Sequence, residues 1–287
     1  MDDRELLKTV MKIVGEENCK DDCAILACGD RVMVATTDML HRTTDFVDGM
    51  TDWQIGWMSA AVTISDIASM GAEPAYVLIA VGLDRWEHLA GIMQGAQDCC
   101  RKFGAAIVGG DIDHHHELTI VTTGLGLVDR VHLVQRTGAW PGDLVCITGT
   151  PGQAQAWLDG YKQFEKALFE PQPRVAEGRL LSRSGVSAMM DDSDGIALSL
   201  YDLLGVNSCG FSLDSDKLPL PEGIPEAQAR ELAMYGGGDY ELIFTLPPDR
   251  YPVAGVPCTV IGKVITERVV LVDGKPLQKR GYQHRWA

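Results

Sequence analysis

Residues 53–71 read WQIGWMSAAVTISDIASMG, and this segment decides the fold prediction. Between Asp52 and Glu73 the only charged residue is Asp66. A helix is predicted over 53–70. One of its apolar stripes runs through Ile55, Met58 and Val62 and ends at Asp66. Because the other faces are also mostly apolar, the helix is predicted to be buried on several sides. A buried carboxylate is costly unless it is paired or binds a metal, so Asp66 is either a metal ligand or a capping or salt-bridged residue.

Strands and helices alternate on both sides of this helix. In the first half, strands are predicted at 24–27, 32–36, 76–81, 105–108 and 118–127, and helices at 6–14 and 86–103. In the second half, strands are predicted at 144–148, 186–190, 240–245, 259–263 and 269–272, and helices at 153–158, 174–181, 194–204 and 227–235. Gly and Pro cluster at 138–143, which favours two domains, 1–138 and 139–287. The predicted class is α+β, with an open sheet in the N-terminal domain and a C-terminal α/β domain.

Composition limits the functions that this chain can have. Its 287 residues carry a formal net charge of −15, which disfavours a nucleic-acid surface. No apolar run reaches the length of a membrane span, and the first five residues lack a signal-peptide core, so a cytoplasmic protein is predicted. The eight cysteines show no zinc pattern and are expected to be reduced thiols. The three histidines at 114–116 are interpreted as a polar turn rather than a metal site.

Further aspartates follow apolar strands at what are predicted to be strand ends. One predicted strand is followed by Thr36, Thr37 and Asp38, and another by Gly110 and Asp111. A third is followed by residues 191–195, which read DDSDG. Asp22 directly precedes the first strand. Asp and Gly also favour ordinary turns and helix caps, so each site alone is ambiguous. Together, hard oxygen ligands scattered along the chain suit Mg²⁺ and a phosphorylated ligand, and they do not suit zinc.

Common nucleotide-binding motifs are missing, since the chain has neither a G-x4-G-K-[ST] loop nor the motifs of protein kinases. The chain nevertheless resembles the thiamine-monophosphate kinase family, of the superfamily that includes aminoimidazole ribonucleotide synthetase. The segments that carry the resemblance span nearly the whole chain, in the family's order: 21–24 (DDCA), 36–40 (TTDML), 65–72 (SDIASMGA), 109–111 (GGD), 136–143 (RTGAWPGD), 191–195 (DDSDG) and 237–242 (GGDYEL).

This resemblance implies direct phosphoryl transfer from ATP to thiamine monophosphate, in a homodimer whose N-terminal sheets pair at the interface. It implies Mg²⁺ ligands at Asp22, Thr36, Thr37, Asp38, Asp66, Asp111, Asp191 and Asp194. It implies nucleotide contacts at Gly110, Asp111, Arg136 and Ser193, and catalytic roles for Asp66, Asp111, Arg136 and Asp194. A surface arginine at a domain joint is the alternative for Arg136.

Two departures concern the acceptor pocket. Asp45 stands where many family members have His, and Gly238 replaces a Glu. The Asp45 carboxylate could attract the thiazolium cation, and Trp286 could supply an aromatic wall or simply pack. The alternatives left open are a superfamily relative that uses ATP on another substrate, of the aminoimidazole ribonucleotide or selenophosphate type, and a catalytically silent nucleotide-binding dimer.

Overall fold

Two β-sheets and the helices packed on them account for most of residues 3–284, which are the residues that the computed structural model describes. The helices are α1 (Asp3–Val14), α2 (Asp52–Ser69), α3 (Leu89–Phe103), α4 (Gln153–Leu158), α5 (Glu165–Phe169), α6 (Val175–Arg183), α7 (Ile196–Val206) and α8 (Glu226–Tyr235). The strands of the first sheet are β1 (Ala24–Cys28), β2 (Arg31–His41), β3 (Glu73–Leu83), β4 (Ala106–His114) and β5 (Thr119–Asp129). Those of the second are β6 (Leu144–Thr148), β7 (Ala188–Asp192), β8 (Gly210–Leu213), β9 (Glu241–Leu246), β10 (Cys258–Ile265), β11 (Val270–Val272) and β12 (Lys275–Pro276).

The first sheet has the order β1-β2-β5-β3-β4, and the second has the order β12-β11-β8-β10-β6-β9-β7. Each combines antiparallel pairs with one parallel pair, β3–β4 in the first and β8–β11 in the second. The predicted α+β class with an open mixed sheet is therefore confirmed. The domain limits at 138 and 139 stay a prediction. No helix within residues 3–284 has the combination of length and apolar character that crossing a bilayer requires.

Helix α2 lies at the centre of the molecule. It packs against β2, β5 and α3 on the side of the first sheet, and it also contacts α6 and β7. Thr51 begins it with a capping box, in which the Gln54 amide N–H donates to the Thr51 hydroxyl and the Gln54 side chain accepts from the Thr51 N–H. Contact on several sides explains why the sequence of this helix is apolar nearly all round.

Reciprocal glycine contacts bring α2 and α3 unusually close together. A Cβ added at Gly56 would lie 1.8 Å from the Ile92 carbonyl oxygen, and one at Gly95 would lie 1.8 Å from the Trp53 carbonyl oxygen. Such distances are far inside van der Waals contact, so the two backbones touch at these points. Only glycine fits at either position without moving a helix.

Two predicted strand ends were wrong. Strand β2 continues past 36 to His41, and β4 continues past 108 to His114, so Asp38 and Asp111 lie inside strands. The Gly109–Gly110 pair indicated a turn, but β4 remains paired with β3 through it. Gly110 is needed there for close approach, because a Cβ would lie 1.7 Å from the Ile79 carbonyl oxygen.

Candidate active site

Three carboxylates from distant parts of the chain meet beside α2. Asp66 belongs to α2, Asp22 precedes β1, and Asp191 lies near the end of β7. One ligand oxygen from each lies within 4.8 Å of those of the other two. The Asp22 side chain is 1% exposed and Asp191 is 2% exposed. The structure thus brings together residues that the sequence analysis had grouped, although their role as metal ligands stays a prediction.

Burial and mutual repulsion make these carboxylates hard to ionise. Burial, followed by the charges of Asp38, Asp191 and Asp22, raises the pKa of Asp66 well above its usual value. Burial and then the charge of Asp22 raise the pKa of Asp191 to about 8. Burial likewise raises the pKa of Asp38. A cluster of this kind favours a positive charge in its midst.

Asp66 and the three carboxylates around it each accept a hydrogen bond from a nearby hydroxyl. The four pairs are Thr36 to Asp66 at 2.5 Å, Thr63 to Asp38 at 2.6 Å, Ser65 to Asp191 at 2.7 Å and Ser69 to Asp22 at 2.6 Å. Within residues 3–284, the second oxygen of Asp38, Asp66 and Asp191 accepts no hydrogen bond. Hard oxygen atoms held in place with a free lone pair are suited to Mg²⁺, so the residues present fit this ion.

A cavity of about 280 Å³ opens beside this carboxylate cluster. Its polar lining contains Asp38, Asp66, Asp191, Ser193 and Asp194, and the predicted acceptor-pocket residues Asp45 and Gly238 line the same cavity. Apolar and aromatic side chains complete the lining, among them Met58, Val62, Leu168, Tyr240 and Tyr282. The cavity therefore combines an acidic wall with a surface suited to an organic ring. The predicted aromatic residue Trp286 lies outside the described residues.

Asp45 is fixed by the turn that follows β2. Its Oδ2 atom accepts hydrogen bonds from the His41 backbone N–H at 2.7 Å and from the Thr44 hydroxyl at 2.6 Å. Its other oxygen has no partner among the described residues. A carboxylate held in this way presents a fixed negative charge to the cavity.

Some predicted ligands face away from the cluster. The Thr37 side chain lies on the opposite face of β2, where its hydroxyl donates to the Thr122 carbonyl at 3.0 Å. Asp111 lies in a row with Met39 across the paired strands, on the same outer face. With Met39, it lines a separate cavity of about 310 Å³. The convergence of Asp111 with Asp66 that we expected is therefore not found within one chain, because alternate residues of a strand point to opposite faces.

Arg136 is paired with a carboxylate of the cluster. Its Nε atom donates to Asp22 Oδ1 at 2.8 Å, its Nη2 atom donates to the same oxygen, and its backbone N–H donates to Asp21 Oδ1 at 2.6 Å. Its side chain is still 23% exposed, and its Nη1 atom has no hydrogen bond within residues 3–284. It is thus a structural member of the site, and the two N–H donors of its Nη1 atom are left for an anion.

Sequence reasoning missed several polar residues at this site. The hydroxyls of Thr63, Ser65 and Ser69 looked like ordinary small residues of an apolar helix. Asp192 is fully buried, and its Oδ1 accepts from Ser199 at 2.9 Å, while its Oδ2 has no partner among the described residues. Burial, followed by the charge of Asp239, raises the pKa of Asp192 well above its usual value. The available signal was a pair of adjacent aspartates, Asp191 and Asp192, directly after the apolar residues 188–190.

Comparisons of the sequence and of the structure identify similar known proteins. Residues 20–128 match the family model described as AIR synthase related protein, N-terminal domain. A thiamine-monophosphate kinase of Methanospirillum hungatei is 49% identical, with all of both chains covered. One of Halobacterium salinarum is 39% identical over 99% of this chain and 100% of the relative. A solved structure described as AaThiL complexed with AMPPCP and TMP superposes with a TM-score of 0.92 at 25% identity, covering 99% of this chain and 97% of that one.

Similarity at this level extends over the entire chain, and it includes the segments that carry the buried carboxylates. Full-length identity of 49% far exceeds what a shared fold alone would produce. The chain therefore belongs to the thiamine-monophosphate kinase family of enzymes.

Proposed function

We propose that this chain transfers the terminal phosphate of ATP to thiamine monophosphate and so makes thiamine diphosphate. The observation that carries this proposal is that Asp66 and Asp191 of the carboxylate cluster line the same cavity as Asp45. The family membership supports the acceptor, and the AMPPCP and TMP bound in the similar solved structure support both substrates.

Mg²⁺, when bound, neutralises the charge of the phosphates during transfer. The residues proposed to hold it are Asp22, Thr36, Asp38, Asp66, Asp191 and Asp194. Thr37 and Asp111, whose side chains lie on the outer face of the first sheet, would act only on an ion bound at that face. Asp22, Asp66 and Asp191 have the strongest support, because their oxygens already lie within 4.8 Å of one another. Because this set has more ligands than one Mg²⁺ ion takes from a protein, we propose that more than one ion binds.

Transfer is proposed to be direct and in line, without a phosphoenzyme. An oxygen of the acceptor phosphate is already a competent nucleophile, so this chain needs no general base. Arg136 is proposed to contact the nucleotide through its free Nη1 group and to stabilise charge on the transferring phosphate. Gly110, Asp111 and Ser193 are the other proposed nucleotide contacts.

The organic end of the acceptor is proposed to lie in the apolar part of the cavity. There the fixed Asp45 carboxylate attracts the thiazolium cation, and Gly238 leaves space where a side chain would otherwise project. Tyr240 and Tyr282 line the same cavity and offer aromatic surface. Trp286 is proposed as an additional aromatic wall.

A homodimer is proposed to form through the outer face of the first sheet. This face exposes large apolar side chains, with Met39 58%, Tyr76 45% and Leu78 39% exposed. Strand β4 and Asp111 lie on it as well. A second copy packed there would cover the apolar side chains and would give Gly110 and Asp111 a place at the interface.

The direct test is to incubate the purified chain with ATP, Mg²⁺ and thiamine monophosphate and to identify products by ³¹P NMR. We expect thiamine diphosphate and ADP from the wild type, and no product from Asp66→Ala, because that change removes the central carboxylate. Circular dichroism should show that the variant is folded. Asp249→Ala, at an exposed carboxylate far from the cluster, is the control and should keep full activity. ATP binding without product, or product with a different acceptor only, would refute the proposal.

A further inference from the structure

Helix α2 bears four buried hydroxyl groups, and three of them each donate to a carboxylate from a different part of the chain. The pairs are Thr63 to Asp38 in β2, Ser65 to Asp191 in β7, and Ser69 to Asp22 ahead of β1. Thr63, Ser65 and Ser69 are all 0% exposed. One helix thus contacts every carboxylate that surrounds Asp66 in the cluster.

The positions of these hydroxyls along the helix follow from its geometry. Thr63 lies three residues before Asp66 and Ser69 lies three residues after it, so both lie on the face of α2 that carries Asp66. Ser65 is turned away from that face, towards β7 in the second sheet. The helix therefore places one hydroxyl on each side of Asp66 and a third towards the other sheet.

A buried serine in a helix often donates only to the carbonyl one turn before it. Ser59 does this, because its hydroxyl donates to the Ile55 carbonyl at 2.8 Å and to no carboxylate. The Ser69 hydroxyl lies 2.7 Å from the Asp66 carbonyl oxygen and 2.6 Å from Asp22 Oδ2, so its one hydrogen has two acceptors within reach. Thr63 and Ser65 have only carboxylate or hydroxyl partners. Ser59 is thus an internal reference for a hydroxyl that has no role in the site.

A hydroxyl that donates to one oxygen of a carboxylate fixes the direction of its other oxygen. For Asp38 and Asp191 that other oxygen has no hydrogen-bond partner within residues 3–284. Thr63 is itself held, because its Oγ1 lies 2.5 Å from the Thr122 hydroxyl in β5, and the Thr122 hydroxyl also lies 2.9 Å from the Ser59 carbonyl. The carboxylates are therefore oriented by groups that are fixed in turn by the packing of α2.

We propose that Thr63, Ser65 and Ser69 are positioning residues that orient Asp38, Asp191 and Asp22 towards a divalent cation. This inference rests on the proposed function only for the role of the cation in catalysis. The orientation of the carboxylates and the affinity for the cation can be tested without any activity. Groups that hydrogen-bond to metal ligands restrict the ligands to the geometry that the ion needs, and their loss weakens metal binding.

The test measures Mn²⁺ binding to the full chain by electron paramagnetic resonance, with Mn²⁺ as the only added ligand. Mn²⁺ prefers the same hard oxygen ligands as Mg²⁺. The variants are Thr63→Val, Ser65→Ala and Ser69→Ala, which remove the hydroxyl with little change in volume. Each should weaken Mn²⁺ binding by about 10- to 100-fold. Thr63→Ser keeps the hydroxyl and should bind as the wild type does, and so should the control Ser59→Ala.

Thermal unfolding followed by circular dichroism identifies variants that are folded at the assay temperature. Should Thr63→Val not fold, Ser65→Ala and Ser69→Ala still decide the question, because they act on different carboxylates. Wild-type Mn²⁺ affinity in the folded variants, or an equal loss in Ser59→Ala, would overturn the inference. Failure of the proposed function gives a different result: the pattern of Mn²⁺ binding is kept, but no thiamine diphosphate is made.

Discussion

The guanidinium group of Arg4 connects the first helix to a carboxylate of the candidate site, since its Nη2 atom lies 3.1 Å from Asp194 Oδ2. The same group donates to both oxygens of Asp202 in α7, at 2.7 and 2.5 Å. The Arg4 side chain is only 15% exposed. Helix α1 is thus attached to α7 and to the edge of the cavity by one partly buried arginine.

Replacing Arg4 by Ala should lower the free energy of unfolding by about 1.5–3 kcal/mol, because hydrogen bonds to charged groups have this range. Asp202 would also lose its cation. Urea denaturation measures the change, and Arg85→Ala serves as control, because Arg85 is 65% exposed and reaches Glu87 only at 4.0 Å. Combining Arg4→Ala with Asp202→Asn should cost much less than the sum of the two changes, and simple additivity would contradict the pairing.

Replacing Asp45 by Asn should raise the KM for thiamine monophosphate about tenfold, equivalent to ~1.4 kcal/mol, because it removes the charge that attracts the cationic ring. The amide oxygen can still accept from His41 and Thr44, so the turn is kept. Steady-state kinetics with each substrate varied in turn distinguishes the two KM values. Asp48→Asn, at an exposed position three residues further on, is the control. A change confined to the KM for ATP would show that Asp45 does not belong to the acceptor pocket.

Stability in EDTA should fall as pH rises from about 4 to about 8. Asp191 has a pKa of about 8 in the folded state, against about 3.9 for an unfolded Asp, so across this window the folded state holds a proton that the unfolded state has released. One such group changes the free energy of unfolding by at most ~1.4 kcal/mol per pH unit. Denaturant titrations at several pH values measure this slope.

Mg²⁺ should reverse this dependence, because the ion favours the ionised carboxylates and releases their protons. Calorimetric titration in buffers of different ionisation enthalpy measures the number of protons released. Asp191→Asn should flatten the pH dependence in EDTA and release fewer protons. If the stability of the wild type in EDTA instead rises with pH across this window, the carboxylates are ionised even without a cation.

Replacing Leu78 by Glu should convert the proposed homodimer into a monomer, because it places a charge in the middle of the exposed apolar face of the first sheet. Light scattering during size-exclusion chromatography measures the mass. Val131→Glu is the matched control, since Val131 is 84% exposed and lies outside that face. A wild type that is monomeric at micromolar concentration, or a Leu78→Glu variant that stays dimeric, would exclude this interface.

The sequence predicted the centre of the site better than its surroundings. A single carboxylate in an otherwise apolar helix is a strong signal, and Asp66 does lie among Asp22, Asp38 and Asp191. The positions of Asp38 and Asp111 were predicted at strand ends for a local reason, since Gly and Thr next to Asp favour turns. Pairing with neighbouring strands overrode that preference, and the resulting alternation turned Asp111 to the other face of the sheet.

The hydrogen-bond partners could not be predicted, because they depend on which elements pack together. Nothing local distinguishes Ser65, which contacts a carboxylate of the second sheet, from Ser59, which contacts its own helix. The pairing of Arg136 with Asp22 likewise joins residues 114 positions apart. Such contacts appear only when the arrangement of both sheets around α2 is known.

The backbone contacts of Gly56 and Gly95 have a consequence for how this enzyme tolerates mutation. Gly56 precedes Thr63 by seven residues, or about 10 Å along the helix axis, and it touches no residue of the carboxylate cluster. A methyl group there would nevertheless push α2 away from α3. The whole helix would shift or rotate, together with the hydroxyl groups of Thr63, Ser65 and Ser69. A substitution of Gly56 or Gly95 by alanine, which adds no reactive group, would then misalign the site. Sequence variants at these two glycines are therefore expected to lose activity although neither residue touches the site.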